Sequence, residues 1–433
     1  MKHKKANHPL RGRNLALAGA CLGIIASGAI AAQGQTNSVD SDKMSELEKQ
    51  NQDLANRLSA LEALAKQEGI MPSGSAAPKF VSSVSQMTIS GYAQASYFYN
   101  FRRPIGGYSA GYLWNTKDNN FSVDKVKVTL ASPPAERSGT DWTAGYRISL
   151  LAGEDAPVLN PGGISTSGFN YVREAYVELN VPIGTGLNIK AGQLISMLNW
   201  ESGDGGAANP NFSQGYQWYY TGNGPSAGVQ LDYSFTSWLN VKFRVDNGLY
   251  AGAVDANNGK AIMGSINLTP MKNLWVNLIG FGGDGSATMD TDGASVLAGW
   301  QALPKLGTGL EADYFHFNPD TGSSGELYSI GAWVWYDFTS KIGLAFRAEY
   351  LDDQDGLGIK GIPVNGPAAF TAIGFGSPDA NGDLESLTVT LNLKPTSSLK
   401  IQPEFRYNHT SYRGGFNGRE DQLILGMGAS YLF

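Results

Sequence analysis

From Gln86 to the C-terminus the chain alternates apolar and polar residues with a period of two, segment after segment. Over 399–408, Leu399, Ile401, Pro403, Phe405 and Tyr407 fall on one face, and Lys400, Gln402, Glu404, Arg406 and Asn408 on the other. Leu239, Val241, Phe243 and Val245 alternate in the same way with Asn240, Lys242, Arg244 and Asp246. Successive side chains of a strand point to opposite faces, so each segment predicts a strand with one apolar and one strongly polar face. A soluble sandwich alternates too, with its apolar face inward. The connections decide between the two. Short ones at 132–138, 182–185, 236–237, 270–273, 303–306, 339–340 and 395–398 alternate with long ones near 102–118, 153–169, 197–223, 249–260, 283–293, 318–325, 352–383 and 412–418. This gives sixteen strands with both ends on the short-turn side. An even strand number with short turns on one side and long loops on the other predicts an all-β membrane protein, a 16-stranded antiparallel transmembrane β-barrel over 87–433. Closure pairs every backbone group and leaves no edge, and an apolar bilayer demands both.

Composition agrees. Only 16% of the 433 residues are charged, 11% are aromatic and 55 are glycine. No stretch of the body reaches the ~20 apolar residues of a spanning helix. The formal charge of −6 argues against a nucleic-acid binder.

Residues 1–31 read as a secretory signal peptide: Lys2, Lys4, Lys5, Arg11 and Arg13 precede an apolar run that ends in Ala29-Ile30-Ala31. Its removal takes away the single cysteine, Cys21, so the exported chain gets no help from disulfides. Residues 42–67 lack Gly and Pro and predict a short coiled-coil helix in the periplasm. Leu47, Leu54 and Leu61 take one seam position of the heptad, and Asn51 and Leu58 the other. So short a coil is marginal alone and makes sense as an oligomer seam. Residues 68–86 read as a flexible linker.

Trp142, Trp238, Trp275 and Trp300 lie near short turns, and aromatics from Tyr97 to Trp114 crowd the first long connection, the pattern of interfacial belts. The last strand alternates Leu423, Leu425, Met427, Ala429 and Tyr431 and closes on Phe433. It resembles the assembly signal of bacterial outer-membrane proteins, which implies the barrel-assembly machinery as a partner. The segment Ile89-Ser90-Gly91-Tyr92-Ala93-Gln94-Ala95-Ser96-Tyr97, the loop Asn209-Pro210-Asn211-Phe212-Ser213, and Gly228-Val229-Gln230-Leu231-Asp232-Tyr233 with Val245-Asp246-Asn247-Gly248 resemble the β-barrel porin-2 (OmpL-like) family of Gram-negative outer membranes. The resemblance covers most of 87–433. It implies an outer-membrane location, contact with lipid and lipopolysaccharide, and a water-filled channel for passive diffusion of small hydrophilic solutes, sugars or ions among them. It brings no catalytic residues. The N-terminal coil is more reminiscent of trimeric sugar- or phosphate-selective porins and implies a homo-oligomer, a trimer in those proteins. The alternative function is a structural or adhesive barrel with a loop-plugged lumen.

If the apolar set faces lipid, the polar set lines the lumen. Its expected members are Lys125, Lys127, Arg147, Glu174, Glu178, Lys242, Arg244, Glu311, Asp313, Arg347 and Glu349, with Lys190, Asp232, Asp246, Glu385, Lys394, Lys400, Glu404 and Arg406. Lys125, Lys127, Arg147, Lys242 and Arg244 are expected to face Glu174, Glu178, Glu311 and Asp313 across a constriction. The third long loop carries Trp200, Tyr216 and Trp218, and by its likeness to the loop of general porins that folds into the barrel it is expected to constrict the lumen with aromatics able to stack on sugar rings, the alternative being an outer girdle. The acidic stretches near 352–356 and 379–383 lack EF-hand spacing, so no metal is expected. His316 and His409, the histidines outside the signal peptide, sit near strand ends with no positioned nucleophile. Neither catalysis nor a cofactor is expected.

Overall fold

The computed structural model describes residues 86–112, 114–159, 171–249, 251–253, 257–286, 288–360, 381–412 and 415–433, with the helical Lys49, Gln52, Asp53 and Asn56. The signal peptide, the linker over 68–85 and the seam positions Leu47, Asn51, Leu54, Leu58 and Leu61 lie outside the described residues.

Among the described residues sixteen strands follow in order. They are β1 (Thr88–Asn100), β2 (Asn120–Ala131), β3 (Thr143–Ala152), β4 (Val172–Val181), β5 (Leu187–Leu194), β6 (Ser226–Ser234), β7 (Leu239–Asp246) and β8 (Ala261–Met271). The second half comprises β9 (Leu274–Ser286), β10 (Met289–Leu303), β11 (Leu306–Pro319), β12 (Gly325–Asp337), β13 (Ile342–Asp353), β14 (Gly382–Leu393), β15 (Leu399–Thr410) and β16 (Asp421–Leu432). Each strand pairs with its sequence neighbours, and β16 returns to β1, closing the barrel. The closing ladder is antiparallel and runs from Tyr92 opposite Leu432 to Asn100 opposite Ile424. Gly91 and Phe433 extend it by exchanging backbone hydrogen bonds of 2.9 and 3.0 Å.

The wall has the predicted two faces. On β15, Gln402, Glu404, Arg406 and Asn408 are buried inward, while Tyr407 is exposed outward. Leu231, Phe243, Ile330 and Leu425 are exposed on the outer face of other strands. An outer surface of bare apolar side chains around a polar interior inverts the soluble arrangement and suits lipid.

Two connections differ from expectation. The region near 283–293 is not a long loop. Here β9 runs on as strand to Ser286 and β10 begins at Met289. The Gly- and Asp-rich residues there keep their ladder, with Gly282 opposite Asp292 and Phe281 opposite Gly293, where the missing side chain leaves room for the Phe281 ring. The first short connection spans 132–142, longer than expected.

Candidate functional site: the lumen and its third loop

The connection from β5 to β6, residues 195–225 and here called L3, folds into the barrel. Asn211, Phe212, Ser213, Gln214, Tyr216 and Gln217 are buried inside. Inward-facing residues of the wall hold it. Trp200 N donates to Glu311 at 2.8 Å, and Phe212 N donates to Glu404 at 2.8 Å. Arg347 of β13 donates to Glu201 at 2.8 Å and to the Ser213 carbonyl at 2.5 Å, and Gln217 N donates to Glu349 at 3.0 Å. Gln217 Nε2 and Thr221 Oγ1 converge on Asp313 at 3.0 and 2.7 Å. On the opposite flank Lys127 of β2 and the Tyr92 hydroxyl of β1 both donate to Asp204 at 2.9 Å. Burial by itself would raise the Asp204 carboxyl, but Lys127 and Tyr92 outweigh it and hold it below its usual range. L3 is thus tied to β1, β2 and β11–β15 by polar and charged groups, buried on the β11–β15 side, where each carboxylate needs several donors to offset its lost hydration.

The first long connection, residues 101–119, lies over L3. Tyr112 stacks on Tyr216 at 4.9 Å, and Trp114 meets Trp218 edge-on at 4.7 Å. Tyr220 donates to the Gly111 carbonyl at 3.0 Å, and Asn408 of β15 donates to the Tyr112 hydroxyl at 2.9 Å. The Arg406 guanidinium sits between the Phe98 and Tyr112 rings at 4.1 and 4.8 Å. Tyr216 and Trp218 therefore pack loop on loop. Trp200 instead lies in an inward cluster with Trp333 at 4.7 Å and Trp335 at 5.7 Å.

The expected lumen residues divide into two groups. Lys125, Lys127, Glu311, Asp313, Arg347 and Glu349 are inward, and their partners are loops: Lys125 meets Gln214 at 3.2 Å and Asp155 at 3.6 Å. Arg244 pairs with Asp246 of its own strand at 2.6 Å and donates to the Ile195 carbonyl at the root of L3. The second group lies on β3–β7. Arg147 pairs with Glu174, Lys190 with Glu178 at 3.6 Å, and Lys242 with Asp232 at 3.2 Å. Arg137 reaches Asp232 at 2.7 Å from the connection 132–142. The acids sit behind the bases. The side chains of Arg147, Lys190, Lys242 and Arg137 are 21, 28, 12 and 34% exposed, whereas those of Glu174, Glu178 and Asp232 are 1, 9 and 6% exposed. The bases and acids expected to face each other across a gap are instead neighbours along one wall or ties to L3.

Four residues sit where the sequence pattern did not put them. Glu385 shares the outward parity of Leu387 and is exposed, because the inward positions beside it are Leu384 and Ser386. Trp275 is inward, against Gly299, and is not part of an outer belt, whereas Trp142, Trp238 and Trp300 are exposed. Asp124 and Arg173 are buried inside, although strict alternation puts them on the other face. The register shifts beside each of them, between Gln94 and Ala95 and between Ser149 and Leu150, and such a bulge turns two successive side chains inward. Outward on β11, His316 meets Asp292 at 3.1 Å.

A barrel with one loop bound inside its lumen can now be set beside known proteins. The family model described as "Putative beta-barrel porin-2, OmpL-like" matches residues 86–433. The chain belongs to this porin family. Membership places it among channel-forming barrels of the bacterial outer membrane. No curated protein sequence matches it. Solved structures share its fold at low identity. OprB of Pseudomonas putida matches with a TM-score of 0.53 and 12% identity, covering 82% of this chain and 96% of that one. An anion-selective porin of Comamonas acidovorans matches with a TM-score of 0.52 and 12% identity, covering 80 and 99%. The trimer form of Vibrio cholerae OmpT matches with a TM-score of 0.52 and 11% identity, covering 80 and 99%.

Proposed function

We propose that this porin forms a narrow, water-filled channel for passive diffusion of small hydrophilic solutes, and that it favours small anions over cations. The observation that carries the reading is the asymmetry of the lumen. L3 is bound against β11–β15, while Arg147, Lys190 and Lys242 on β3–β7, joined by Arg137 from the connection 132–142, keep water access with their counter-charges behind them. Rings of exposed like charge set ion preference in pores. The test is the reversal potential of the purified protein in a planar bilayer under a salt gradient. Wild type should be anion-selective, and Lys190→Gln with Lys242→Gln should move the potential toward zero. A cation-selective wild type would overturn the preference.

A second reading, a structural barrel closed by its loops, is favoured by the depth of the packing around Arg406, Tyr216 and Tyr220, all fully buried. A folded barrel that carries no current would support it.

The assembly reading is a homo-oligomer, a trimer, with the coil over 42–67 as a periplasmic seam and the final strand to Phe433 as the signal read by the assembly machinery. Strand height supports the oligomer. β5 and β7 have 8 residues each. Such a strand is roughly 26 Å long at ~3.3 Å per residue, and a tilt of ~45° leaves roughly 19 Å of height, short of the ~25 Å apolar band of an outer-membrane barrel. A wall this low is better covered by a second copy than by lipid.

A further inference from the structure

Beneath L3, on the short-turn side, two adjoining cavities of about 350 and 420 Å³ share Lys394 and Lys400 as lining residues. The inner one is lined by Trp200, Trp335, Asn209, Asn392 and Asp337, and the outer one by Lys341. Neither takes part in holding the first loop or the β3–β7 wall.

The aromatic side of this space is built in place. Trp335 lies over Gly307 and Trp200 over Gly309, so close that a Cβ on either glycine would stand 2.0 and 2.3 Å from the ring. The glycines leave room for both indoles to approach the wall. Trp333 stacks behind Trp200 and fixes its plane. The polar side is biased toward positive charge. Lys394 is paired with Asp337 at 3.2 Å. Lys400 donates to the carbonyls of Gly206 at 2.8 Å and Asn209 at 2.6 Å and has no carboxylate partner among the described residues. Lys341 is exposed at the rim. Three lysines thus stand against one aspartate.

The amides that would recognise sugar hydroxyls are already engaged. Asn209 exchanges two hydrogen bonds with the Ser202 backbone, and Asn392 bonds the Pro210 carbonyl and accepts from Gln402. What the cavity keeps open is the remaining N–H of Lys400 and the amines of Lys394 and Lys341, beside the Trp200 and Trp335 rings. A few placed polar groups among apolar walls define a small-molecule site, an offset ring gains from an aromatic face, and an ammonium group strengthens its hydrogen bond to a carboxylate.

We propose that this cavity binds a small carboxylate carried on a flat ring, an aromatic carboxylate, as a station on the path through the pore. It rests on the channel reading only for the path; the binding itself does not need current. The test is calorimetric titration of the full-length protein in detergent with benzoate, benzamide and acetate. Benzoate should bind at least tenfold more tightly than benzamide, which keeps the ring without the charge, and than acetate, which keeps the charge without the ring. Trp335→Ala and Lys400→Gln should each weaken benzoate at least fivefold. Lys341→Gln at the rim, which no packing depends on, should weaken it by a smaller factor and guards against a folding defect in the other two. Equal binding of acetate and benzoate, equal binding of benzamide and benzoate, or no benzoate binding by a heat-modifiable folded barrel would overturn the site. Binding without bilayer current would keep the site and remove the channel, and current without binding would do the reverse.

Discussion

At the scale of single residues the two faces of the wall make opposite demands. Leu231 is exposed on the outer face of β6 and Gln230 is buried on the inner one. Leu231→Arg should destabilise by about 2–4 kcal/mol if the position faces mid-bilayer lipid, and Gln230→Arg by far less. Denaturant titration of the folded barrel in lipid checks the ranking, and the reverse order would invert every inward assignment. Most of these assignments were legible because a strand has only two faces. Those that were not share a cause. Asp124 and Arg173 enter the lumen through bulges, and a bulge adds one residue without leaving a mark in the composition. Glu385 was misplaced because charge suggested the lumen, although its neighbour Leu384 takes the inward position.

At the scale of elements L3 is the part that converts an empty cylinder into a narrow one. Its position near the middle of the sequence and its aromatics were readable, but its partners were not. Glu311, Asp313, Arg347 and Glu404 are spread over β11–β15 and meet L3 only after closure brings the far wall around. Arg347 is the centre of that contact, with its guanidinium beside Glu201 at 2.8 Å and Glu349 at 3.0 Å. Arg347→Met leaves two buried carboxylates without their cation, which should cost about 3–5 kcal/mol. Loosening of L3 should appear as a lower heat-modification temperature and larger, noisier current steps. Unchanged steps would mean that L3 does not narrow the path. The β9–β10 hairpin shows the opposite failure of sequence reading. Its glycines look like a loop, yet the ladder continues because glycine still offers a full backbone donor and acceptor, and Gly293 is needed for the ring of Phe281.

At the scale of the whole molecule, closure of sixteen strands accounts for a barrel that holds no cysteine, the single one being Cys21, since every strand is paired on both sides. The number of strands followed from counting turns, and the antiparallel order followed from their short length. The proposed oligomer draws on the coil expected over 42–67 and on the short strands β5 and β7. Deleting 41–67 should leave the barrel folded and weaken the oligomer, as read by cross-linking and native electrophoresis. An oligomer of unchanged strength would remove the coil from its assembly. The most direct test of the central claim, an open pore narrowed by L3, is single-channel current through the purified mature protein in a planar bilayer. Discrete, long-lived steps, grouped in threes for a trimer, are the predicted result. A barrel that is folded and heat-modifiable but carries no current would contradict it.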